Sequence, residues 1–363
     1  MKKKKTKLRV LDLFAGVGGM SLGFEQAGFD IIAAIEFDKS IAESMKKNHK
    51  NTKVFISDIK ELDPKDIKKD IGEIDVIVGG PPCQGFSLKG KRLGLDDERN
   101  FLFREYIKYV KEFKPKYFII ENVPGIMSSN NGYFVNEIDN AFKKLGYKIN
   151  YGVLNAADFG VPQNRKRAIF IGTRMDKEIL LPDKKLDDEN KVTVWDAISD
   201  LAYLDSGEGE FELEYIKEAE TEYQKQMRKK SKKLFNHIAT KHSDIAIDRL
   251  KRIPPEKGKE FLTEKITSTF GQTWGRLEKD KQSPTIVTRF DTPSNGKNSH
   301  PFLHRAITPR EAARLQSFPD NFIFYGNKSS VIKQIGNAVP PLLGKALAEH
   351  ILKHYKKYEK DKK

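Results

Sequence analysis

The chain has a single cysteine, Cys83, in 363 residues. One thiol makes no internal disulfide and no cysteine-based zinc site, so the protein suits a reducing compartment. His237 and His242 have no cysteines beside them at zinc-binding spacing, and no metal is expected. Long apolar runs are also missing: none approaches the roughly 20 residues that cross a bilayer. The basic start, Met1 to Lys5, leads into a short apolar stretch interrupted at Asp12, which is not a secretory leader. These absences predict a cytoplasmic protein without a membrane partner. Acidic residues are in deficit, 51 against 66 Lys and Arg, for a net charge of +15. Such an excess favours a nucleic-acid partner, whose phosphates release counterions when neutralised, although lysine-rich solubility leaves the same mark. The length suffices for a full catalytic core and a smaller second domain.

The cysteine sits in Gly79-Gly80-Pro81-Pro82-Cys83-Gln84-Gly85-Phe86-Ser87, directly after the apolar, β-branched run Ile74 to Val78. That run reads as a buried parallel strand, and the glycines and prolines end it abruptly. A lone cysteine is most often a small buried hydrophobe. Here it follows a strand's carboxyl end, where α/β sheets bind ligands, on a backbone that two prolines hold. The position points to a nucleophile.

Earlier in the chain, Arg9 to Phe14 reads as a strand, Ala15-Gly16-Val17-Gly18-Gly19 as a glycine turn, and Met20 to Ala27 as a helix. Glycines let the backbone approach a ligand and aim helix-start amides at it. The next apolar run, Ile31 to Ile35, ends at Glu36, twenty residues beyond Gly16, where nucleotide-binding units place the acid for ribose hydroxyls. Ser21 stands where a dinucleotide fingerprint has its third glycine, which disfavours a nicotinamide enzyme. Asp58 ends a third strand and reads equally as a cap. The glycine-rich, charged stretch Leu88 to Asn100 reads as a mobile segment or a plain surface loop.

A further strand, Tyr117 to Ile120, ends at Glu121-Asn122-Val123. A carboxyl group at that edge needs a partner or a ligand, or caps a neighbouring turn. In Gln163-Asn164-Arg165-Lys166-Arg167, before another strand, period-two geometry places Arg165 and Arg167 on one side and Lys166 on the other. Beyond Thr173 the composition changes: Asp196 to Glu222 is acidic and Gln224 to Lys233 basic. Separated charge gives one face for phosphate and one that avoids it, or simply solvated helix faces. Polar loops carrying Gln272, Arg276 and Arg289 suit contacts with base edges. Thr308 to Gln316 carries a capping box with proline at the first helical position.

In this order, from residue 10 to about 347, these motifs resemble those of the DNA (cytosine-5)-methyltransferases of prokaryotic restriction-modification systems. The middle of the chain, about 176 to 300, carries no strong family motif. The resemblance implies an α/β fold: a Rossmann-like S-adenosylmethionine-dependent methyltransferase sheet with helices on both faces, plus a smaller mixed target-recognition domain. It implies a catalytic domain over 1–178 and 329–363 and a recognition domain over 179–328. S-adenosylmethionine would be the methyl donor, held by Phe14, Gly16, Gly18, Gly19, Glu36, Phe37, Asp58, Ile59, Pro82, Asn337 and Val339. Cys83 would attack a flipped cytosine, with Glu121 on ring nitrogen 3 and Arg165 and Arg167 positioning the base. Ser87, Gln272, Arg276 and Arg289 would contact double-stranded DNA. A monomer is expected, associated with the nucleoid through DNA and accompanied by a separately acting restriction endonuclease. Two alternatives are an RNA (tRNA) cytosine-5 methyltransferase, and a non-catalytic DNA-binding regulator that keeps the fold.

Overall fold

The computed structural model describes residues 7–82, 101–128, 132–264, 266 and 271–362. The predicted nucleophile Cys83, the predicted DNA contact Ser87 and the stretch Leu88 to Asn100 lie outside these residues. The described chain packs into two compact units, one of 7–155, 166–184 and 343–362, the other of 156–165 and 185–342. These bounds differ from 178 and 329: the loop 156–165 and the helix ending at Asn337 pack with the second unit.

Among the described residues of the first unit, seven strands form one sheet. In chain order the unit runs β1 (Arg9–Leu13), α1 (Gly19–Gln26), β2 (Asp30–Glu36), α2 (Lys39–Asn48), β3 (Lys53–Ile56), α3 (Pro64–Ile71), β4 (Val76–Gly79), α4 (Phe101–Phe113), β5 (Tyr117–Asn122), α5 (Tyr133–Lys144), β6 (Lys148–Asn155) and β7 (Lys166–Thr173). The strand order is β3-β2-β1-β4-β5-β7-β6, with β1 to β5 parallel and β6 and β7 antiparallel. The order reverses between β1 and β4. That switch point is where open α/β sheets leave a crevice beyond their carboxyl ends.

Alternation along the strands divides the core. Leu11, Leu13, Ile77, Phe118, Ile120 and Phe170 face a cluster shared with α3, α4 and α5. On the opposite face Tyr117 donates toward His354 Nδ1 at 2.8 Å, on the C-terminal helix. Gly344 of that helix lies against Met20 and Gly23 of α1, where a Cβ would come within 3.1 Å of the Met20 carbonyl. The helices therefore cover both faces, and the strands read as continuous apolar runs because neither face meets water.

The second unit contains α6 (Val194–Ile198), β8 (Gly209–Leu213), α7 (Glu222–Arg228), β9 (Leu234–Ile238), α8 (Asp244–Arg252), α9 (Pro309–Leu315) and α10 (Lys328–Asn337). The last helix, α11 (Pro341–Asp361), returns the chain to the first unit. The acidic and basic runs partly neutralise one another: Arg228 pairs with Asp200 and Lys233 with Glu212. At these two pairs folding brings opposite charges from the two runs into contact.

The expected capping box forms at α9, with the Thr308 side chain and Glu311 exchanging bonds and Pro309 in the first turn. Every residue of this helix is buried, including Arg310, Glu311 and Arg314. Glu311 takes two bonds from Arg305 at 2.8 Å. Arg314 forks onto Asp320 at 2.9 and 2.7 Å and reaches Asp200 at 2.6 Å. Burial alone would raise the Asp320 carboxyl, but Arg314 and then Arg310 overcome it and hold its pKa down at about 2. Asp320→Ala would leave buried guanidinium charge short of a partner, a loss of about 3–5 kcal/mol. It is expected to lower the urea midpoint of the second unit, measured by unfolding, while Asp361→Ala, an exposed ion-pair change, leaves it within error.

Candidate active site

The glycine turn after β1 has a left-handed backbone at Phe14, Gly16 and Gly18, with φ of 58°, 57° and 88°. Gly18 is also short of space, since a Cβ there would lie 2.3 Å from Met45 Sδ and 2.4 Å from His49 Nε2 and would force those side chains to shift. Gly16 differs: among the described residues a Cβ there would meet nothing within 4 Å. Its N–H donates to Glu36 Oε2 at 2.9 Å, and the Asp38 N–H donates to Glu36 Oε1 at 2.9 Å. Burial pushes the Glu36 carboxyl up, and those two amides partly offset the shift. Beside it the Phe37 ring is a 72% exposed apolar surface. Asp58 accepts from the Lys60 N–H at 3.1 Å and opens a short 3₁₀ turn in which Ile59 is buried.

Strand register brings these positions to one edge. Glu36 pairs with Ile56, Leu13 with Ile35 and Gly79, and Gly79 with Ile120, so the turn after β1, Glu36, Asp58, Gly80 and Glu121 all stand at the carboxyl ends. An acid for hydroxyls, an exposed ring and a glycine uncrowded by the described residues are what an adenosine moiety requires. The residues present fit S-adenosylmethionine.

Asp12, within β1, is 2% exposed and accepts from Ser21 Oγ at 2.5 Å. Burial raises its pKa to about 7, with Glu36 adding to the shift and Ser21 and His49 opposing it. The folded chain thus holds this proton more tightly than the unfolded one. The resulting stabilisation is complete below about pH 4 and is lost as pH rises through about 7. Asp12→Asn removes the titration, and its melting temperature relative to the wild type is expected to rise steadily between those limits in a pH series of thermal melts.

At the central strands, Gly79 is forced by contact: a Cβ would lie 2.3 Å from the Leu13 carbonyl oxygen. Gly80 abuts Glu121, whose Oε2 would be 3.0 Å from a Cβ there. Glu121 Oε1 pairs with Arg167 Nε at 2.7 Å, both side chains 12% exposed. The antiparallel register, Glu121 opposite Ile169, puts Arg167 in the diagonal position where long side chains meet across strands. Asn122, which sequence reading did not single out, donates from Nδ2 to the Pro81 carbonyl at 3.0 Å and accepts from the Val123 N–H at 2.8 Å. It ties the start of the cysteine loop to β5. Its place beside Glu121 at a strand end was the available signal.

Arg165 does not join Arg167. It precedes β7, which begins at Lys166, so period-two geometry does not extend to it. Its Nη1 donates to the Ile286 carbonyl at 3.0 Å and its Nη2 to the Gly336 carbonyl at 3.1 Å, within the second unit. Gln163 is likewise buried and serves Leu315, Gln316 and Ile286. In the second unit Asn337 ends α10 exposed and Val339 is half-buried. Pro82 is exposed in the first unit.

Of the predicted DNA contacts, Gln272 and Arg289 are exposed, whereas Arg276 is 1% exposed. Its five N–H donors go to the carbonyls of Leu250, Ile253, His300 and Leu303 and to His304 Nδ1. That leaves none for a base edge, and Arg276 is a clamp. His237 bridges Thr308 and the Leu201 carbonyl, and His242 accepts from the Ala306 N–H. Among the described residues no group of three or more His, Cys, Asp or Glu could hold a metal ion, and no helix is long and apolar enough to cross a membrane.

Comparison with known proteins agrees with this geometry. The chain is 39% identical over 371 residues to the Type II methyltransferase M.DdeI of Desulfomicrobium norvegicum, covering 95% of this chain and 88% of that one. It is 36% identical to the Type II methyltransferase M1.HphI of Haemophilus parahaemolyticus, over 95% of this chain and 87% of that one. A candidate DNA modification methyltransferase encoded within an E. coli prophage superimposes with a TM-score of 0.78 at 30% identity, covering 96% of this chain and all of that one. The family model described as C-5 cytosine-specific DNA methylase matches residues 8–353. The chain belongs to that family, as a DNA (cytosine-5)-methyltransferase of the restriction-modification type.

Proposed function

We propose that the protein methylates carbon 5 of one cytosine within a specific double-stranded DNA sequence, by base flipping and a covalent Cys83 adduct. A cytosine inside a duplex is out of reach of any side chain at this sheet edge, so it must rotate out of the helix. Carbon 5 is a poor nucleophile. Addition of the Cys83 thiolate to carbon 6 moves the ring's electron pair onto carbon 5 and nitrogen 3 and makes the ring enamine-like. Glu121 holds nitrogen 3 and the exocyclic amino group, and Arg167 fixes the orientation of Glu121. S-adenosylmethionine, when bound, supplies the electrophilic methyl group. Loss of the carbon 5 proton to a base or water then expels the thiolate and restores the ring. The observation that carries this reading is the Glu121 carboxylate, paired with Arg167 and lying against Gly80, three residues before the cysteine.

We assign donor binding to the turn 14–19, Glu36, Phe37 and Asp58, with Asn337 and Val339 at the methionine end. DNA recognition falls to the second unit, where Arg165 and Arg276 act as clamps and Gln272 and Arg289 face outward. The chain would act as a cytoplasmic monomer, beside a separate restriction endonuclease. Bisulfite sequencing of DNA incubated with the protein and S-adenosylmethionine tests the chemistry and names the site. Protected cytosines in one sequence context are expected. Label transferred only to tRNA in a competition assay would refute the DNA reading.

A further inference from the structure

The second unit holds an open depression of about 190 Å³ between two loops, 256–260 and 271–275, with Lys297 at its side. Each loop contains a residue other than glycine with a left-handed backbone, Glu256 at φ 65° and Trp274 at φ 64°. Such conformations cost free energy, persist only where the surroundings over-determine them, and concentrate at functional sites. Here the supports are explicit. Glu256 Oε1 accepts from the Lys279 N–H at 2.9 Å, and the Trp274 N–H donates to the Pro293 carbonyl at 2.8 Å. The Trp274 ring packs with Leu250 and Ile253, and the Arg249 guanidinium lies 5.1 Å from its centre. Arg276 anchors both loops, since its side chain is fully engaged below and its backbone N–H donates to the Lys257 carbonyl at 2.9 Å. Gly258 and Gly275 allow the close approach, a Cβ on Gly258 lying 3.5 Å from Gly275 Cα.

What this scaffold presents is polar, and part of it is unengaged among the described residues. Gln272 is exposed, and its carboxamide has no partner among the described residues. Lys257 and Lys259 pair with no acid among the described residues, while Lys297 is taken by Glu278. Two acids, Glu256 and Glu260, line the depression and disfavour a phosphate there. A neutral base edge is therefore the fitting occupant, with phosphates outside at the free lysines.

We propose that this depression is a base-reading cradle, in which Gln272 reads an adenine of the recognition sequence through N6 and N7 in the major groove while Lys257 and Lys259 hold neighbouring phosphates. A carboxamide offers one donor and one acceptor side by side, the complement of adenine's N7 acceptor and N6 donor. The proposal rests on the assignment of the second unit to DNA recognition.

The test is bisulfite sequencing of a randomised duplex library methylated by the wild type, by Gln272→Ala and by Lys257→Ala/Lys259→Ala. The wild-type profile is expected to contain an adenine at a fixed offset from the methylated cytosine. Gln272→Ala should lower discrimination at that position alone by about 10- to 100-fold, the range of one bidentate contact. The lysine variant should weaken methylation evenly across sequences and reduce the slope of log affinity against log salt by about two. An unchanged site profile in Gln272→Ala, or an even loss at every position, overturns the cradle while leaving the methyltransferase reading intact. A wild type that methylates no duplex overturns both.

Discussion

DNA methylation is expected to disappear in Cys83→Ser, with S-adenosylmethionine binding unchanged. A serine hydroxyl is almost wholly protonated near neutral pH and far weaker than a thiolate toward carbon 6, and exchanging one atom for another of similar size leaves the proposed donor contacts in place. The readout is specific with duplexes carrying 5-fluorocytosine at the target. There the wild type is expected to transfer a methyl group, find no carbon 5 proton to lose and stay bound through sulfur. A covalent band on a denaturing gel is expected for the wild type and none for Cys83→Ser. Methylation retained by Cys83→Ser would remove the cysteine from the chemistry. The local frame supports the assignment: Gly79 fits only because it has no Cβ, and Asn122 holds the Pro81 carbonyl two residues before the thiol.

Glu121→Gln should lower the single-turnover rate of methyl transfer by about 10²–10³-fold, the usual cost of removing one group that stabilises developing charge. Substrate affinity should change far less, because the interaction strengthens only as charge builds on the ring. Arg167→Ala is expected to act through Glu121, since the two groups are 2.7 Å apart. The double variant should then lose less than the product of the two single losses, as residues acting as a unit do. Arg165→Ala is the contrasting change. Its guanidinium serves the Ile286 and Gly336 carbonyls, so its removal should shift the unfolding midpoint before it shifts the Glu121-dependent step. Fully multiplicative losses for Glu121 and Arg167 would separate their roles.

Much of the first unit is legible in the linear order of residues. Apolar runs ending in glycine, proline or a carboxylate mark strands whose far ends face a crevice, and the twenty-residue step from Gly16 to Glu36 becomes a direct bond between them. The α9 capping box is legible because its reciprocal bonds span three residues. The arginines are another matter. Arg165, Arg167 and Arg276 share one side-chain type, yet Arg167 meets the Glu121 carboxylate while the other two clamp carbonyls. The partners of Arg165 lie 121 and 171 residues away, a separation over which no local pattern carries information. Charge runs mislead similarly, because Arg228 and Asp200 neutralise one another across 28 positions.

The order of motifs along the chain determined the sheet, the glycine turn after β1 and the family, since strands and tight turns depend on contacts among near neighbours. Folding alone decided which cation faces Glu121, which arginines are buried supports and where one unit gives way to the other. A guanidinium's task is set by the oxygens that packing brings to it, and those oxygens come from distant parts of the chain.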